Sequence, residues 1–289
     1  MLSILIVTFN NERHIRPCLD SLPWTRTELD VWVMDNLSAD RTRDRIAAFK
    51  RSRGPRARLH FNPLPSNLGY TAAVNRGLAA CRGEWICLLG PDAVVHPGAL
   101  ETMADYLKRH PRVGAVAPRL VNPFGQVQPS CRRFPSVRDA WIEMTGLPRL
   151  FPARLSPRWK MADFSHRAIR EVEQPEATCL MIRRSVLDTV GPMDDRFPLF
   201  FNDVDWCRRI RRKGWAIVFL PGAVVSHVRG ASVNRVPVLK IWKSHQGFYR
   251  YFSKHGPPGA ALLLGVPLIG SAILRTILAV SLVSERNAP

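Results

Sequence analysis

Between residues 2 and 110 the chain repeats one pattern four times: a short run rich in β-branched and large apolar residues ends in a polar loop and gives way to a helix-like stretch. LSILIVTFN leads into NERHIRPCLDSL, LDVWVMDN into SADRTRDRIAAFKR, LHFNPLPSNLG into YTAAVNRGLAACRG, and EWICLLG into PDAVVHPGALETMADYLKRH. Strands that read as continuous apolar runs are covered on both faces, so the pattern predicts an α/β domain: Rossmann-like, with a mainly parallel sheet and helices on either side. Ligands on such sheets bind beyond the carboxyl ends of the strands. The polar residues there, Thr8, Asn10, Asp35, Asn36, Asn67 and Asp92, are therefore the first candidates for function.

From about Val113 the alternation gives way to VGAVAPRLVNPFGQVQPSCRRFPS and then to Pro-rich, basic sequence as far as about Arg170. No helical period holds across it and turn residues recur, which predicts a hairpin and a long insertion suited to acceptor-binding loops. The sheet resumes with EATCLMIRRSVLDTVG and WAIVFLPGAVVSHVRGAS. Division into a domain over 1–235 and a C-terminal helical tail over 236–289 follows. The tail places Val238, Ile241, Trp242, His245, Phe248, Tyr249 and Phe252 at helical spacing among lysines and arginines, a pattern suited to a membrane interface. Beyond it the chain is apolar for about 25 residues but interrupted by Pro267 and Arg275, which points to a peripheral or re-entrant anchor; a helix packed on the domain is the alternative.

The 42 Lys and Arg against 23 Asp and Glu give a net charge of +19, favouring anionic partners: nucleic acid, nucleotide phosphates or an acidic membrane surface. The basic residues are scattered, part of the excess is equally a matter of arginine-rich coding, and no zinc-finger or RNP-like motif is present, so nucleic acid is not an expected partner. Six cysteines without CxxC or zinc-type spacing read as small buried residues of a reducing compartment. The N-terminus turns polar too soon, and lacks the basic start, for a signal peptide. Neither GxxxxGK[ST] nor GxGxxG after the first strand occurs, which removes P-loop and dinucleotide-fingerprint sites.

The ordered motifs IVTFNNE, VMDNLSADRT, NLGYTAAVNRGL, LLGPDAVVHPGALETM, RLVNPFGQVQPSCRRFPS, CLMIRR, VGPMDDRFPLFFNDVDWCRRIRRKGW and SHVRGAS carry a resemblance. From residue 3 to about 235 the chain resembles the inverting GT-A glycosyltransferases of family 2, most of all their bacterial rhamnosyltransferase branch, which builds O-antigens and other surface glycans. The resemblance implies a single displacement in which a carboxylate deprotonates the acceptor hydroxyl while a nucleoside diphosphate leaves. Asp203 falls on the position of that base. Thr8 and Asn10 border the nucleotide, and Asp35 hydrogen-bonds the base; a carboxylate there accepts the imide N–H of uracil or thymine but finds no donor on cytosine, which fits a UDP or dTDP sugar. An Asx-type turn over Asp35 to Asp40 is compatible with that role. Asn67 stands before a loop opening into a helix, either facing phosphate or sugar or serving as an N-cap. Asp92 takes the family's DxD-type metal site, with Gly90 where an asparagine is expected and no second acid. His227, as a metal ligand or a phosphate contact, joins it in holding Mg²⁺ or Mn²⁺. Asn202 replaces the usual glutamate at the acceptor. Asp205 contacts the acceptor or caps the helix, since residues two apart on a helix point in nearly opposite directions. Arg208, Arg209, Arg211 and Arg212 read as a solvated face.

The implied activity is transfer of a deoxyhexose, rhamnose, from a nucleoside-diphosphate sugar to a glycan or polyprenyl-diphosphate-linked acceptor, by a cytoplasmic enzyme held peripherally on the inner face of the cell membrane. Gly90 and Asn202 leave open a second class, a non-catalytic glycan-assembly partner on the same fold; a nucleic-acid binder suggested by charge alone is the third.

Overall fold

The computed structural model describes residues 1–25, 29–54, 58–146, 157–228 and 237–286. Its first half follows the sequence pattern: β1 (Leu2–Thr8), α1 (Ile15–Asp20), β2 (Leu29–Asp35), α2 (Thr42–Arg53), β3 (Leu59–Pro63), α3 (Tyr70–Ala80) and β4 (Trp85–Leu89). There follow β5 (Ala93–Val95), α4 (Ala99–Arg109), β6 (Val113–Val121), β7 (Cys131–Arg132), α5 (Val137–Thr145), a 3₁₀ turn over Arg158–Lys160, β8 (Arg170–Glu171), β9 (Gln174–Pro175) and β10 (Cys179–Arg183). The chain continues through α6 (Arg184–Val190), α7 (Asn202–Arg212), β11 (Ala216–His227), α8 (Pro237–His255) and α9 (Ala260–Arg286).

Eight strands lie in the order β3-β2-β1-β4-β10-β6-β11-β5, with β8 added to β11, and β7 pairs separately with β9. The block β3-β2-β1-β4 is parallel, as is β6 with β11, whereas β10 runs antiparallel between β4 and β6. Mainly parallel is thus the right description, and the antiparallel β10 has a consequence: its N-terminal end meets the C-terminal end of β4, with Cys179 opposite Leu89. The loop entering β10 is thereby brought to the strand-end edge. Alternate residues of the central strands feed two cores. Ile4, Ile6, Val31, Val33 and Cys87 pack with α1, α2 and α4 on one face, and Leu5, Val7, Ile86 and Leu88 pack with α3 and α7 on the other. All six cysteines are buried and free, as their spacing suggested.

Two expectations are corrected. The stretch read as lacking any helix contains α5, started by a capping box in which Ser136 Oγ accepts from Asp139 N–H (3.1 Å) and Asp139 Oδ2 accepts from Ser136 N–H (3.0 Å). It is nine residues long and buries only Asp139 and Ala140, too little for a period to show in the sequence, and it packs on α9. The aromatic stripe of α8, read as a membrane face, is divided: Phe248, Tyr251 and Phe252 are buried with Phe197 and Phe201 of the domain, while Trp242 and Tyr249 remain exposed. Helix α9 lays Ala260, Leu264, Leu268 and Ala272 against α8 and α5. Arg275, the charge that interrupts its apolar run, donates to the Glu143 carbonyl at the end of α5. Its outer face is bare, with Leu262 85% and Val266 80% exposed. The boundary near residue 235 and the later part of SHVRGAS lie outside the described residues.

Candidate active site

The ends of β1 and β2 are in register, Thr8 beside Asp35, and both side chains are buried. Asp35 Oδ2 accepts from Ser38 N–H (3.2 Å) and from Arg43 Nε–H (2.5 Å) in the first turn of α2. Asp35 Oδ1 and Thr8 Oγ1, by contrast, have no hydrogen-bond partner. The Asx-type turn and a free acceptor therefore coexist on one carboxylate. A buried polar atom without a partner is costly, so two of them together at strand ends suggest groups meant for a ligand. Asn10, at φ 54°, braces the loops: its Oδ1 accepts from Ala39 N–H (2.8 Å) and its N–H donates to Ser38 Oγ (2.9 Å). Asn67 is a brace too, since Oδ1 accepts from Asn36 Nδ2 (2.9 Å) and Gly69 N–H (3.0 Å). The cap residue of α3 is Gly69, so the N-cap reading of Asn67 does not hold.

Asp92, past the end of β4, faces His227 at the end of β11, with Oδ2 to Nε2 at 3.5 Å. Gln128 fixes that ring. Its Nε2 donates to the His227 carbonyl (3.0 Å), which turns its Oε1 toward His227 Nδ1 at 3.2 Å. An amide oxygen only accepts, so Nδ1 carries a proton and Nε2 is the ring nitrogen turned toward the carboxylate. One hard oxygen donor and one imidazole lone pair fit Mg²⁺ or Mn²⁺. They offer two donors only: among the described residues no group of three or more His, Cys, Asp or Glu is placed to hold a metal ion. At Gly90 a Cβ would lie 3.0 Å from Asp92 Oδ1 and 3.5 Å from Thr178 Cγ2, so a larger residue there would shift the Asp92 carboxylate by a few tenths of an ångström.

Asp203, in the first turn of α7, accepts from Val204 N–H through Oδ1 (2.8 Å), and Gln174 Nε2 of β9, before the entrance to β10, donates weakly to Oδ2 (3.4 Å). Burial is the main force raising its pKa, and the charge of Glu176 adds to it; opposed by the N–H groups of Val204 and Ala177, these push Asp203 up to about 6. A carboxylate with that pKa is ionised at neutral pH yet basic enough to take a proton. Burial, followed by the charges of Asp203 and then Asp92, also pushes the Tyr70 hydroxyl above its ordinary range, so Tyr70 stands within the field of both acids. Phe201, the residue before α7, is held at φ 66°. This left-handed conformation costs a non-glycine residue about 1–2 kcal/mol. Packing offsets that cost: the Phe201 ring lies edge-on to Phe248 of α8 at 4.6 Å, and only a glycine at 247 leaves room for it.

The expected acceptor contacts of Asn202 and Asp205 are not what the structure shows. Asn202 is 4% exposed, and its Nδ2 donates to Thr71 Oγ1 (3.1 Å) and to the Leu199 carbonyl (3.2 Å). Thr71 already gives its proton to the Phe197 carbonyl (2.5 Å), so its oxygen needs a donor, which an ionised glutamate is not. Asp205 is fully buried on the opposite side of α7 from the site. Its Oδ1 meets Lys254 Nζ (2.6 Å) and His255 Nε2 (2.7 Å), and its Oδ2 meets Arg209 Nε (2.8 Å). Burial opposes its ionisation, but the hydrogen bonds from His255, Lys254 and Arg209 outweigh it and hold the carboxyl below the ordinary range. Of the arginines expected on a solvated face, Arg208 and Arg209 belong to the same seam, Arg208 donating to the Tyr251 hydroxyl; Arg212 is exposed while donating to His255 Nδ1 (3.1 Å), and Arg211 pairs at the surface with Glu171 of β8.

Gln128, Gln174, Glu176, Tyr70 and Arg43 were not singled out by the sequence. Gln128 stands in the quoted motif RLVNPFGQVQPSCRRFPS and Glu176 just before a strand, but nothing local distinguishes a glutamine that orients a histidine 99 positions away.

The family model Glycosyl transferase family 2 matches residues 3–191. The chain is 30% identical, over 97% of its own length and 93% of the relative's, to the N-acetylglucosaminyl-diphospho-decaprenol L-rhamnosyltransferase of Mycobacterium tuberculosis. Among solved structures it resembles the mannosyltransferase PcManGT from Pyrobaculum calidifontis in complex with GDP-Man and Mn²⁺, with a TM-score of 0.60 at 18% identity, covering 97% of this chain and 75% of that one. It also resembles S. aureus TarS 1–349 in complex with UDP-GlcNAc, with a TM-score of 0.54 at 17% identity, covering 93% and 79%. At those identities the two structures speak for a shared GT-A fold alone.

Proposed function

The chain belongs to glycosyl transferase family 2 and is a glycosyltransferase, and we propose that it moves rhamnose, with inversion, from a dTDP or UDP sugar to a saccharide on a polyprenyl diphosphate during cell-surface glycan synthesis. One observation supports the mechanism: Asp203, with a pKa of about 6, and Asp92, which faces His227, both act on the Tyr70 hydroxyl and so lie on the same edge of the domain. The choice of sugar and acceptor rests on the near full-length likeness to the mycobacterial enzyme.

In the proposed displacement an acceptor hydroxyl attacks the anomeric carbon, and Asp203 takes its proton as the new C–O bond forms. The bond from that carbon to the diphosphate oxygen breaks, and the nucleoside diphosphate departs from the opposite face with the electron pair. Asp92 and His227 would hold Mg²⁺ or Mn²⁺, which when bound neutralises charge on the leaving diphosphate. Thr8 and Asp35 hold the nucleoside end. Gln174 and the N–H groups of Val204 and Ala177 hold its carboxylate between the first turn of α7 and the segment entering β10. The structural use found for Asn202 supports an active enzyme over a non-catalytic partner.

The excess positive charge suits both diphosphates and anionic lipid. The bare apolar face of α9, beside exposed Trp242, Tyr249 and Lys240 of α8, supports peripheral seating on the inner membrane face, close to a lipid-linked acceptor. By length and composition Ala260–Ser281 could cross a bilayer, but its inner face is committed to α5 and α8.

The test supplies the full chain with Mn²⁺, an N-acetylglucosaminyl-diphospho-polyprenol and a panel of nucleotide sugars. Transfer from dTDP-rhamnose with inverted anomeric configuration, seen by NMR of the product, is the expected result. Retention of configuration, or no transfer and no hydrolysis of any donor, defeats the reading.

A further inference from the structure

We propose that Arg43 reads the nucleotide base together with Asp35, its guanidinium donating to the ring carbonyl beside the imide N–H that Asp35 accepts. This rests on the donor-site reading above and deepens it by naming the edge that is recognised.

Arginine presents Nε–H and Nη2–H as two parallel donors on one edge, and a neighbouring carboxylate normally fills both. Here the fork is half closed. Nε–H donates to Asp35 Oδ2 at 2.5 Å, while Arg43 Nη2 and Asp35 Oδ1, the atoms of the second prong, are both buried and both without a partner. Neither satisfies the other, although the first prong holds the two groups side by side. Asp35 is 0% exposed, so Oδ1 has no open route to bulk water.

A donor beside an acceptor calls for the complementary pair, an acceptor beside a donor. Thymine and uracil present it as N3–H next to a ring carbonyl, and guanine presents the same pair as N1–H next to O6. Cytosine and adenine present the reverse, a ring nitrogen lone pair next to an amino group, which would set acceptor against Oδ1 and donor against Nη2. Asp35 alone could take an N–H from a base but could not read a carbonyl. Because Ser38 N–H and Arg43 Nε–H already occupy Oδ2, only one carboxylate oxygen is left for the base. The two-atom readout therefore depends on Arg43.

Calorimetric binding of dTDP, UDP, GDP, CDP and ADP to the full chain with Mn²⁺, repeated with Arg43→Leu and Arg43→Lys, tests this. Wild type should bind dTDP and UDP about tenfold or more tightly than CDP and ADP, and Arg43→Leu should lose about tenfold for UDP but little for CDP. GDP binding with the same dependence on Arg43 supports the same edge on a purine. Replacing a uracil carbonyl oxygen by sulfur, in 2-thio-UDP and 4-thio-UDP, should weaken one of the two several-fold in wild type and neither in Arg43→Lys, which keeps the charge but has no second prong. If Arg43→Leu fails to fold, Arg43→Lys and the thio series decide. Nucleotide binding that keeps its UDP to CDP ratio and its sulfur effect in the Arg43 variants overturns the proposal while leaving the donor site intact. If wild type binds none of the five nucleotides, the donor-site reading itself falls.

Discussion

Two aspartates separated by one residue should fail in opposite ways when each is made asparagine. Asp205 is fully buried among Arg209, Lys254 and His255. Asp205→Asn strips the charge from the centre of that cluster, and breaking a buried pair costs about 3–5 kcal/mol. Lys254 keeps a second partner, Asp194 at 2.6 Å, so the lower end is expected. About 3 kcal/mol corresponds to a fall in Tm of roughly 6–12 °C for a chain of this size. Asp203 lies the other way. Its pKa is raised from 3.8 to about 6, so at pH 7 the folded state holds an ionised carboxylate it disfavours. Asp203→Asn should then leave stability unchanged or raise it by roughly 1–3 kcal/mol at pH 7, while transfer falls by roughly 10²–10⁴-fold. Thermal unfolding, nucleotide binding and transfer, measured on both variants, separate the cases. Both should bind nucleotide, and Asp205→Asn, assayed well below its Tm, should keep most of its transfer rate. An Asp205→Asn protein as stable as wild type but unable to transfer, or an active Asp203→Asn, would refute the assignment of roles.

The pH profile follows from the same carboxylate: the transfer rate at saturating substrates should rise through about pH 6 and level off above it, and Glu176→Gln, by removing a like charge, should move that limb to lower pH. A limb that stays in place in Glu176→Gln would remove Glu176 from the account. Gln128→Leu frees the His227 ring and should weaken Mn²⁺ binding in the presence of dTDP by about tenfold, read by electron paramagnetic resonance, with little change in Tm; unaltered Mn²⁺ affinity would show that the ring needs no such support. Serine at Leu262, Val266, Ile269 and Ile273, all exposed, should preserve the fold and abolish co-sedimentation with anionic phospholipid vesicles. Undiminished sedimentation would remove α9 from the membrane-facing surface.

The candidate site was legible where it depended on strand ends. Thr8, Asp35 and Asp92 could be located because a buried strand and the loop that ends it are local in sequence, and the parallel topology then gathers those ends on one edge. His227 was legible for the same reason. That Asn10 and Asn67 also brace the loops was not legible, since which lone pair of an amide is already taken depends on loops about 30 residues away. The helix α5 escaped notice because its nine residues bury a single apolar side chain, Ala140, and so carry almost no period.

The sequence by itself determined the layered α/β architecture, the family and the strand-end acids, because periodicity, turn chemistry and motif order are properties of short windows. Tertiary structure decided what each polar group has left to offer. Asp203 and Asp205 are the same residue type on the same helical turn; one faces the β10 entrance and the other a lysine and a histidine some 50 positions later. The half-closed fork of Arg43 on Asp35 and the ring orientation that Gln128 imposes on His227 are likewise matters of unspent hydrogen-bonding capacity. That capacity exists only once distant segments have packed and used up the rest.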